Sequence, residues 1–325
     1  MIKVIKQIIK RIYSFPFIWN SVGRFFRSDG VIVLMYHRIG DEHGIIPGFE
    51  VEKFTEQMVW IKNNCNVIHP DDFKNSVHNN KKYKPNVLIT FDDGYRCCYK
   101  YAYPVLKKLS LPALVFLATQ PPDEGGFIWT DRLNYLISLT HVKRITLPWS
   151  SEVFELDSSK NKKELLNNIK SYLKNIDNLN RVNYLKELEK LFNVELKGKV
   201  ERQMLTWDEV RDSLNVVSYG GHTHTHPIMS RVSKNDLEAE ISLCRDRIYT
   251  ETGIYPKSFA YPNGTTVDYN DLCIDLLKKY GYELAYTTNE GLNDIDTNLM
   301  EIKRVPTGAN NIEDFVWLLS TAGCK

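Results

Sequence analysis

The sequence predicts an α/β fold, a distorted (β/α)7-type barrel with a helical insertion. Short apolar or β-branched runs alternate with segments of helical periodicity, which is the pattern of a parallel sheet whose strands are joined by helices. About seven such strand–helix units follow one another, and that number suits a closed or nearly closed barrel better than an open sheet. Carboxylates and histidines come directly after several of these runs, where parallel sheets and barrels place their ligand-binding residues.

The runs that are expected to form strands each end in a turn or a polar residue. They cover residues 31–36, 67–68, 85–91, 112–118, 216–219, 257–261 and 282–287. Residues 120–135 contain Pro and Gly pairs and are expected to form a loop with exposed aromatic side chains. Trp129 in this loop is a candidate for stacking on a sugar ring, although ordinary packing explains it equally well. Residues 141–205 are rich in Lys, Asn and Glu and have apolar residues at helical spacing, which predicts a helical insertion.

The composition is that of an ordinary globular protein. The 42 basic and 40 acidic residues leave a net charge of +2, which gives no indication of a nucleic-acid partner. The six cysteines show no CxxC spacing, so reduced thiols and a reducing compartment are expected. We therefore expect a cytoplasmic protein, or one that lies peripherally on the inner membrane face.

Residues 1–27 form a basic and apolar segment ahead of a catalytic domain that spans residues 28–325. Lysine and arginine alternate with isoleucine and valine at helical spacing, and the segment has no unbroken apolar core or small-residue cleavage site. It is therefore not expected to be a secretion signal. A basic amphipathic helix of this kind is expected either to contact an anionic membrane surface or to pack on its own domain.

Two adjacent carboxylates lie at the end of the third predicted strand. Asp92 and Asp93 follow an apolar run and precede Gly94, so the strand ends in a tight turn. A cation held by one carboxylate keeps its neighbour ionised, which suits a metal ligand beside a general base. A turn without a chemical role is the alternative, because Asp-Asp-Gly turns are common at strand ends.

Three of the eight histidines lie within residues 221–227. His222 and His226 are four positions apart, so one helical turn would place both imidazoles on one side, while His224 would point elsewhere. A catalytic zinc site has three protein ligands and an open position for water, and Asp93 with these two histidines supplies that set. A histidine-rich turn without a metal is the alternative.

The motifs at these strand ends resemble those of the polysaccharide deacetylase family, the NodB-homology carbohydrate esterases. Residues 90–94 match the family's first motif in full, and His222 and His226 match its second. Residues 259–264 resemble the third motif of a branch that includes exopolysaccharide N-deacetylases. The resemblance runs from about residue 31 to residue 304 and implies the NodB-homology barrel.

The resemblance implies roles for the matching residues. Asp92 would be the general base, and Asp93, His222 and His226 would bind one divalent metal, for which zinc is expected. Substrate contacts are expected from Tyr95, Trp129, Tyr261, Pro262 and Arg304. The implied activity is the metal-dependent removal of N-acetyl groups from an acetylated amino-sugar polysaccharide or glycan precursor, with release of acetate.

Departures from the family pattern bear on catalysis. The arginine that holds the catalytic Asp in many members corresponds to Ala260, and Asn263 replaces a usual aromatic residue. No histidine follows His226, so the family's common C-terminal Leu-x-His acid is absent. In the exopolysaccharide branch a strand-end Tyr-His motif takes that part. This makes His37 the expected general acid, which should lie across the metal from Asp92.

The expected reaction is hydrolysis of an acetamide. Asp92 would remove a proton from a metal-activated water, and the backbone N–H of Tyr95 would contact the oxyanion. A deacylase of a smaller amide or ester is an alternative within the same fold. A non-catalytic carbohydrate-binding protein is a second alternative, suggested by Ala260 and Asn263, although the intact Asp92 argues against it.

Overall fold

The computed structural model describes residues 29–41, 44–78, 84–124, 126–309 and 311–322, together with residues 7, 10–12, 14, 18 and 19 near the N-terminus. Its strands are β1 (Val31–Tyr36), β2 (Asn66–Val67), β3 (Asn86–Phe91), β4 (Ala113–Leu117), β5 (Arg144–Thr146), β6 (Val153–Glu155), β7 (Val217–Gly221), β8 (Ser258–Ala260), β9 (Leu284–Tyr286) and β10 (Val305–Pro306). Its principal helices are α1 (Val51–Asn64), α2 (Phe73–His78), α3 (Tyr103–Leu109), α4 (Gln120–Glu124), α5 (Trp129–Leu139), α6 (Ser159–Asn175), α7 (Asn178–Phe192), α8 (Trp207–Ser213), α9 (Lys234–Thr252), α10 (Asp271–Lys279) and α11 (Ile312–Thr321).

The main sheet is parallel and nearly closed. Its strands follow the order β10-β1-β3-β4-β7-β8-β9, and β2 pairs with the first residues of β3. The two ends of this order approach each other, because Thr287 after β9 donates its N–H to the carbonyl of Ile302 just before β10, at 2.8 Å. The curled parallel sheet surrounded by helices confirms the predicted distorted (β/α) barrel.

Alternate residues of each strand face opposite sides of the sheet. Val33, Leu88 and Phe116 belong to a cluster inside the barrel, whereas Leu34 and Ile89 belong to the cluster between the sheet and the helices. A parallel strand that is buried on both faces reads as an uninterrupted apolar run. These strands were therefore the part of the fold that the sequence indicated most clearly.

Two segments differ from the sequence prediction. Residues 120–135 are not an open loop, because α4 and the start of α5 occupy them, and Trp129 is buried at the first position of α5. Both prolines of α4 lie in its first turn. Backbone N–H groups in the first turn have no acceptor within the helix, so a proline there removes no helical hydrogen bond. Residues 141–205 contain α6 and α7 and also the antiparallel hairpin β5–β6, which was not predicted because each strand has only three residues.

The prediction for residues 1–27 falls mostly outside the described residues, but Trp19 and Lys10 are described. The Trp19 side chain is fully buried and packs edge-on against Trp60 of α1, with ring centroids 4.9 Å apart. Lys10 forms an ion pair with Asp314 of α11 at 2.6 Å. These contacts favour packing of the segment on its own domain. Among the described residues, no helix is both long and apolar enough to cross a membrane.

Replacing Trp19 with alanine is expected to lower the free energy of unfolding by about 3–5 kcal/mol, because a fully buried tryptophan leaves a large cavity. Urea unfolding of the purified protein measures this change. Ile12→Ala is the matched control on the same segment, since Ile12 is half-exposed and should change stability by no more than about 0.5 kcal/mol. Equal stability of the two variants would show that the segment does not contribute to the core.

Candidate metal and catalytic site

The turn after β3 presents Asp92 and Asp93 at the carboxyl end of the sheet. The Asp92 N–H donates to the carbonyl of Tyr36 at 3.0 Å, which joins the turn to the end of β1. Asp93 has a left-handed backbone with φ of 75°, and Gly94 follows with φ of 81°. A Cβ atom at Gly94 would come within 2.2 Å of Cδ1 of Leu117, so this turn requires glycine.

Asp93, His222 and His226 form a buried cluster of three potential metal ligands. Oδ1 of Asp93 lies 3.3 Å from Nε2 of His222 and 3.2 Å from Nε2 of His226. One ligand atom from each residue lies within 4.8 Å of the others. Ligands about 2.0–2.2 Å from a tetrahedral zinc ion are about 3.3 Å apart, so two of the three separations have the spacing of such a site.

The hydrogen bonding of His222 also suits a cation. Its Nδ1 lies 2.7 Å from the carbonyl oxygen of Ala260, which can only accept, so in the neutral ring Nε2 carries the lone pair that faces Asp93. A lone pair and a carboxylate repel each other unless a positive charge lies between them. Burial lowers the pKa of His222, but Asp93 and Asp92 raise it above its ordinary value. The cluster therefore favours a positive charge at this point, and a divalent metal would supply it.

The other two members of the cluster are in the protonation states that bind metals. Burial alone would raise the pKa of Asp93, but hydrogen bonding with His222 and His226 holds it well below its usual range. Burial lowers the pKa of His226, and this effect outweighs the attraction of Asp93. At neutral pH the cluster thus offers an ionised carboxylate and a neutral imidazole.

The two histidines converge through a loop and not through the helical turn that their spacing suggested. Thr223 and His226 both have left-handed backbones, with φ of 63° and 59°, and the Thr223 hydroxyl accepts the N–H of His226 at 3.0 Å. His224 points elsewhere, with Nδ1 2.9 Å from the hydroxyl of Thr119. Left-handed conformations are unfavourable for residues other than glycine, so the loop holds backbone strain beside the cluster.

Asp92 is held by Arg304, a residue that was predicted to contact the substrate. The guanidinium donates to both carboxylate oxygens, at 2.6 and 2.8 Å, and its Nε donates to the carbonyl of Thr287 at 2.7 Å. Burial alone would raise the pKa of Asp92, but the charge of Arg304 lowers it below its ordinary value. Because Arg304 is completely buried and fully paired with the protein, the predicted substrate contact is wrong. It is a positioning residue for Asp92.

Arg304 also accounts for the departure at Ala260. The guanidinium that the family's third motif would supply comes instead from the residue before β10, and Ala260 contributes its backbone carbonyl to His222. The sequence feature that could have indicated this role is the position of Arg304 directly before the apolar pair of β10. It was missed because β10 has only two residues and because Arg304 lies 212 positions from Asp92.

Replacing Arg304 with methionine is expected to destabilise the protein by about 3–5 kcal/mol, because Asp92 would remain as a buried carboxylate without its cation. Denaturant unfolding at neutral pH measures the effect. Arg144→Met is a control, since it removes an exposed ion pair with Glu155 that should contribute only about 0–1 kcal/mol. Similar losses in the two variants would contradict the assigned role of Arg304.

His37 lies next to Asp92, at the end of β1. Its Nε2 is 3.7 Å from Oδ2 of Asp92, and its side chain is half-exposed. The expectation that it lies across the metal from Asp92 is therefore wrong, since the two side chains are neighbours. The His37 carbonyl accepts a hydrogen bond from the Cys98 thiol at 3.3 Å, which helps to hold this loop in place.

The remaining predicted substrate contacts have buried side chains. The Tyr95 ring lies 4.0 Å from the guanidinium of Arg38, and the Tyr261 hydroxyl donates to the carbonyl of Met300 at 2.9 Å. Trp129, the candidate for stacking on a sugar ring, is buried at the start of α5, which favours ordinary packing for this side chain. The side chains of Tyr95, Tyr261 and Pro262 are buried as well, and their contact with substrate stays a prediction. Sequence patterns identify aromatic residues but do not show which of them reach solvent.

The backbone N–H of Tyr95 remains available near the metal cluster. Tyr95 lies opposite Met204 in an isolated antiparallel bridge, whose hydrogen bonds are formed by the flanking residues. The Arg96 N–H donates to the carbonyl of Gln203, and the Leu205 N–H donates to the carbonyl of Gly94. Among the described residues, no hydrogen bond uses this N–H. It can therefore donate to a bound ligand.

Comparison with known proteins connects this site to one family. A family model described as polysaccharide deacetylase matches residues 79–145 and 181–285, more than half of the chain. YxkH of Bacillus subtilis (strain 168), which carries a polysaccharide deacetylase name, is 38% identical over 88 residues. That alignment covers 26% of this chain and 30% of the relative, so it spans less than a third of the relative's length.

Solved structures show the same fold. The Streptococcus pyogenes deacetylase PplD, in complex with acetate, matches with a TM-score of 0.59 and 19% identity over 89% of this chain and 97% of that chain. IcaB from Ammonifex degensii matches with a TM-score of 0.57 and 16% identity over 90% of this chain and 98% of that chain. These proteins share the barrel, and the family model covers residues 90–94 as well as His222 and His226. The chain belongs to the polysaccharide deacetylase family.

Proposed function

We infer that this deacetylase is metal-dependent and removes N-acetyl groups from an acetylated amino-sugar glycan. One observation carries the inference: a buried Asp-His-His cluster lies beside a carboxylate that is fixed by an arginine. The family membership supports deacetylation, and the acetate in the PplD complex supports an acetyl group. Two imidazoles and one carboxylate are a usual ligand set for catalytic zinc, so zinc is the proposed metal.

The residues of the chain divide the chemistry among them. Asp93, His222 and His226 would hold a divalent metal, which would supply Lewis-acid activation of a water and of the amide carbonyl. Asp92 is ionised and held by Arg304, so it can accept the proton of the attacking water. The backbone N–H of Tyr95 would donate to the oxygen on which negative charge develops.

His37 is the proposed donor of the proton that the leaving amine requires. Its half-exposed ring lies 3.7 Å from Asp92, so it borders the reacting centre and also meets solvent, from which it can regain a proton. The position of His37 supports a role in proton transfer on the side of the site where Asp92 lies.

Replacing His37 with asparagine is expected to lower turnover by about 10²–10⁴-fold while leaving the metal content unchanged, because general acid catalysis is typically worth that much. Acetate release by the metal-loaded protein measures turnover. His69→Asn is the control, since His69 is exposed and its polar contacts among the described residues are with Asp71 and Ser218, outside the site. A wild-type rate in His37→Asn would assign the proton to another group.

Acetate release is also the test of the proposed function. The metal-loaded protein should release acetate and a free amine from oligomers of N-acetylglucosamine. A deacylase of a smaller amide or ester, the alternative within the fold, would act on p-nitrophenyl acetate and on simple acetamides but not on the oligomers. Binding without turnover was suggested by Ala260 and Asn263, and the Arg304–Asp92 pair supplies the guanidinium that Ala260 lacks, which supports turnover.

A further inference from the structure

Two adjacent cysteines contact the backbone segment that carries His37. The Ile39 N–H donates to Sγ of Cys97 at 3.4 Å, and the Cys98 thiol donates to the carbonyl of His37 at 3.3 Å. The Cys98 side chain is buried, whereas that of Cys97 is half-buried. A chemical change at Cys97 would therefore act directly on the segment from His37 to Ile39.

Cys97 lines a small cavity with more basic than acidic side chains. The cavity has a volume of about 100 Å³, which is room for a few heavy atoms. Its charged lining consists of Arg38, Arg96, Lys100 and Arg202 on the basic side and of Asp41 and Glu201 on the acidic side. Lys100 is exposed and lies over the ring of Tyr101, and among the described residues it forms no ion pair with a carboxylate. The cavity therefore favours an anionic partner.

Arg38 brings a further hydrogen-bond donor to this cavity. Its two terminal nitrogens donate to Gln203 at 2.8 Å and to Asp131 at 2.6 Å. Its buried Nε–H has no acceptor among the residues that the structure describes. Leaving a buried N–H without an acceptor costs free energy. An anionic group next to Arg38 would therefore meet both a positive charge and a donor that lacks a partner.

The surroundings of Cys97 also favour the reactive form of its thiol. The neighbouring Cys98 lowers the pKa of Cys97, burial opposes this effect, and the Ile39 N–H and the charge of Arg38 add to the lowering. The thiolate is the nucleophile in thiol chemistry, so a lowered pKa increases the reactive fraction. The other described cysteines are buried. Among them, Cys97 alone combines access to solvent with a lowered pKa.

We propose that Cys97 is a thiol-modification site that exchanges with disulfides of small anionic thiols, and that this modification reversibly slows catalysis by displacing His37. In the exchange, the Cys97 thiolate attacks one sulfur of the small disulfide and forms a new S–S bond with it. The original S–S bond breaks, and the second thiol leaves as a thiolate that takes a proton from water. Cys97 is thereby oxidised and the leaving thiol is reduced. The effect on catalysis, but not the exchange itself, rests on the proposed function.

The geometry of the adjacent cysteines explains why the mixed disulfide would persist. Cys97 has helical backbone angles, and the described chain contains no cis peptide bond. Neighbouring Cα atoms are then about 3.8 Å apart, which is shorter than the about 4.4 Å at which disulfides begin to form without strain. Cys98 therefore cannot easily displace the bound thiol. The modification would remain until an external thiol reduces it.

The mixed disulfide would also disturb the position of His37. A tripeptide thiol is larger than the cavity of about 100 Å³, so the residues around Cys97 must move to admit it. The Ile39 N–H that now donates to Cys97 lies two positions from His37. A catalytic group that moves by about 1 Å can lose as much as about 10²-fold in rate. We therefore expect acetate release to fall at least about tenfold after modification.

The first experiment measures the exchange itself. The metal-loaded full chain is incubated with glutathione disulfide, and the number and position of the added groups are measured by intact mass and peptide mapping. We expect one glutathionyl group per chain, attached to Cys97. Cys97→Ser should take up none, and Cys324→Ser, which removes a different cysteine, should react as the wild type does.

A pair of lysine variants tests the role of charge in the cavity. The exchange rate with glutathione disulfide, which is anionic, is divided by the rate with 2-hydroxyethyl disulfide, which is neutral. Lys100→Glu should lower this ratio at least about threefold at low ionic strength, because it reverses a charge beside Cys97. Lys108→Glu makes the same charge change on an exposed residue outside the cavity and should leave the ratio unchanged.

Acetate release by the same samples tests the effect on catalysis. The glutathionylated wild type should lose at least about tenfold in turnover with unchanged metal content, and excess reduced glutathione should restore it. Cys97→Ser should keep turnover within about twofold of the wild type, since a serine hydroxyl can still accept the Ile39 N–H, and it should resist inhibition.

The outcomes separate this inference from the proposed function. Absence of a glutathionyl group at Cys97, or an equal ratio of rates in Lys100→Glu and Lys108→Glu, would overturn the modification site. Full turnover by the glutathionylated protein would overturn its effect on catalysis. Exchange at Cys97 in a protein that releases no acetate before treatment would support the site and contradict the deacetylase proposal.

Discussion

Replacing His226 with alanine will release the divalent metal and abolish acetate release. The proposed site has only three protein ligands, and the imidazole of His226 lies 3.2 Å from the Asp93 oxygen that would bind the same metal. Loss of one of three ligands leaves too few donors to hold a metal against dialysis. Metal analysis after dialysis against a mild chelator measures the effect directly.

The neighbouring histidine provides the matched control for this variant. His224 lies in the same loop, but its ring contacts the hydroxyl of Thr119 and takes no part in the ligand cluster. His224→Ala should therefore keep the metal content of the wild type. Stoichiometric metal in the dialysed His226→Ala protein, or equal loss from both variants, would show that the ligands are wrongly assigned.

Replacing Asp92 with asparagine is expected to lower turnover by about 10²–10⁴-fold without loss of metal, because asparagine cannot accept the proton of the attacking water. Asp92 does not belong to the ligand cluster, so the metal content should match that of the wild type. Acetate release and metal analysis on the same preparation separate a catalytic defect from a loss of the metal.

A second arginine-paired carboxylate is the control for the ion pair itself. Asp123 binds Arg247 and also accepts from the indole of Trp207, outside the ligand cluster. Asp123→Asn removes an arginine–carboxylate ion pair that is more exposed than the Arg304–Asp92 pair, and it should leave turnover close to that of the wild type. Turnover in Asp92→Asn within a factor of about ten of the wild type would contradict its role as general base, since that role is worth at least about 10²-fold.

The sequence allowed the fold and the ligand cluster to be predicted because both depend on strong local signals. β3 is a buried strand of mainly apolar residues followed at once by two carboxylates, and the loop of residues 222–226, the histidine loop, follows β7. Parallel order then brings the ends of these strands to one edge of the sheet, with β4 between them. The proximity of Asp93 to His222 and His226 therefore follows from the positions of these residues at strand ends and from the parallel order of the strands.

Other parts of the site depend on contacts that no local pattern records. Arg304 reaches Asp92 from the far end of the chain, and the strand beside it has two residues. The histidine loop uses left-handed residues at Thr223 and His226 where the spacing suggested a helix, because hydrogen bonds within the loop offset the strain. Burial of Trp129 in α5 depends on how that helix packs, which its Pro- and Gly-rich flank does not show.

The most direct test of the central claim is a titration of metal-depleted protein with zinc, in which acetate release from the N-acetylglucosamine hexamer is followed. The site at Asp93, His222 and His226 predicts that activity is absent after chelation. It should return in proportion to added zinc and reach its maximum at one equivalent per chain. Acetate release at the full rate by the metal-depleted protein, or no recovery of activity with any divalent metal, would contradict the account.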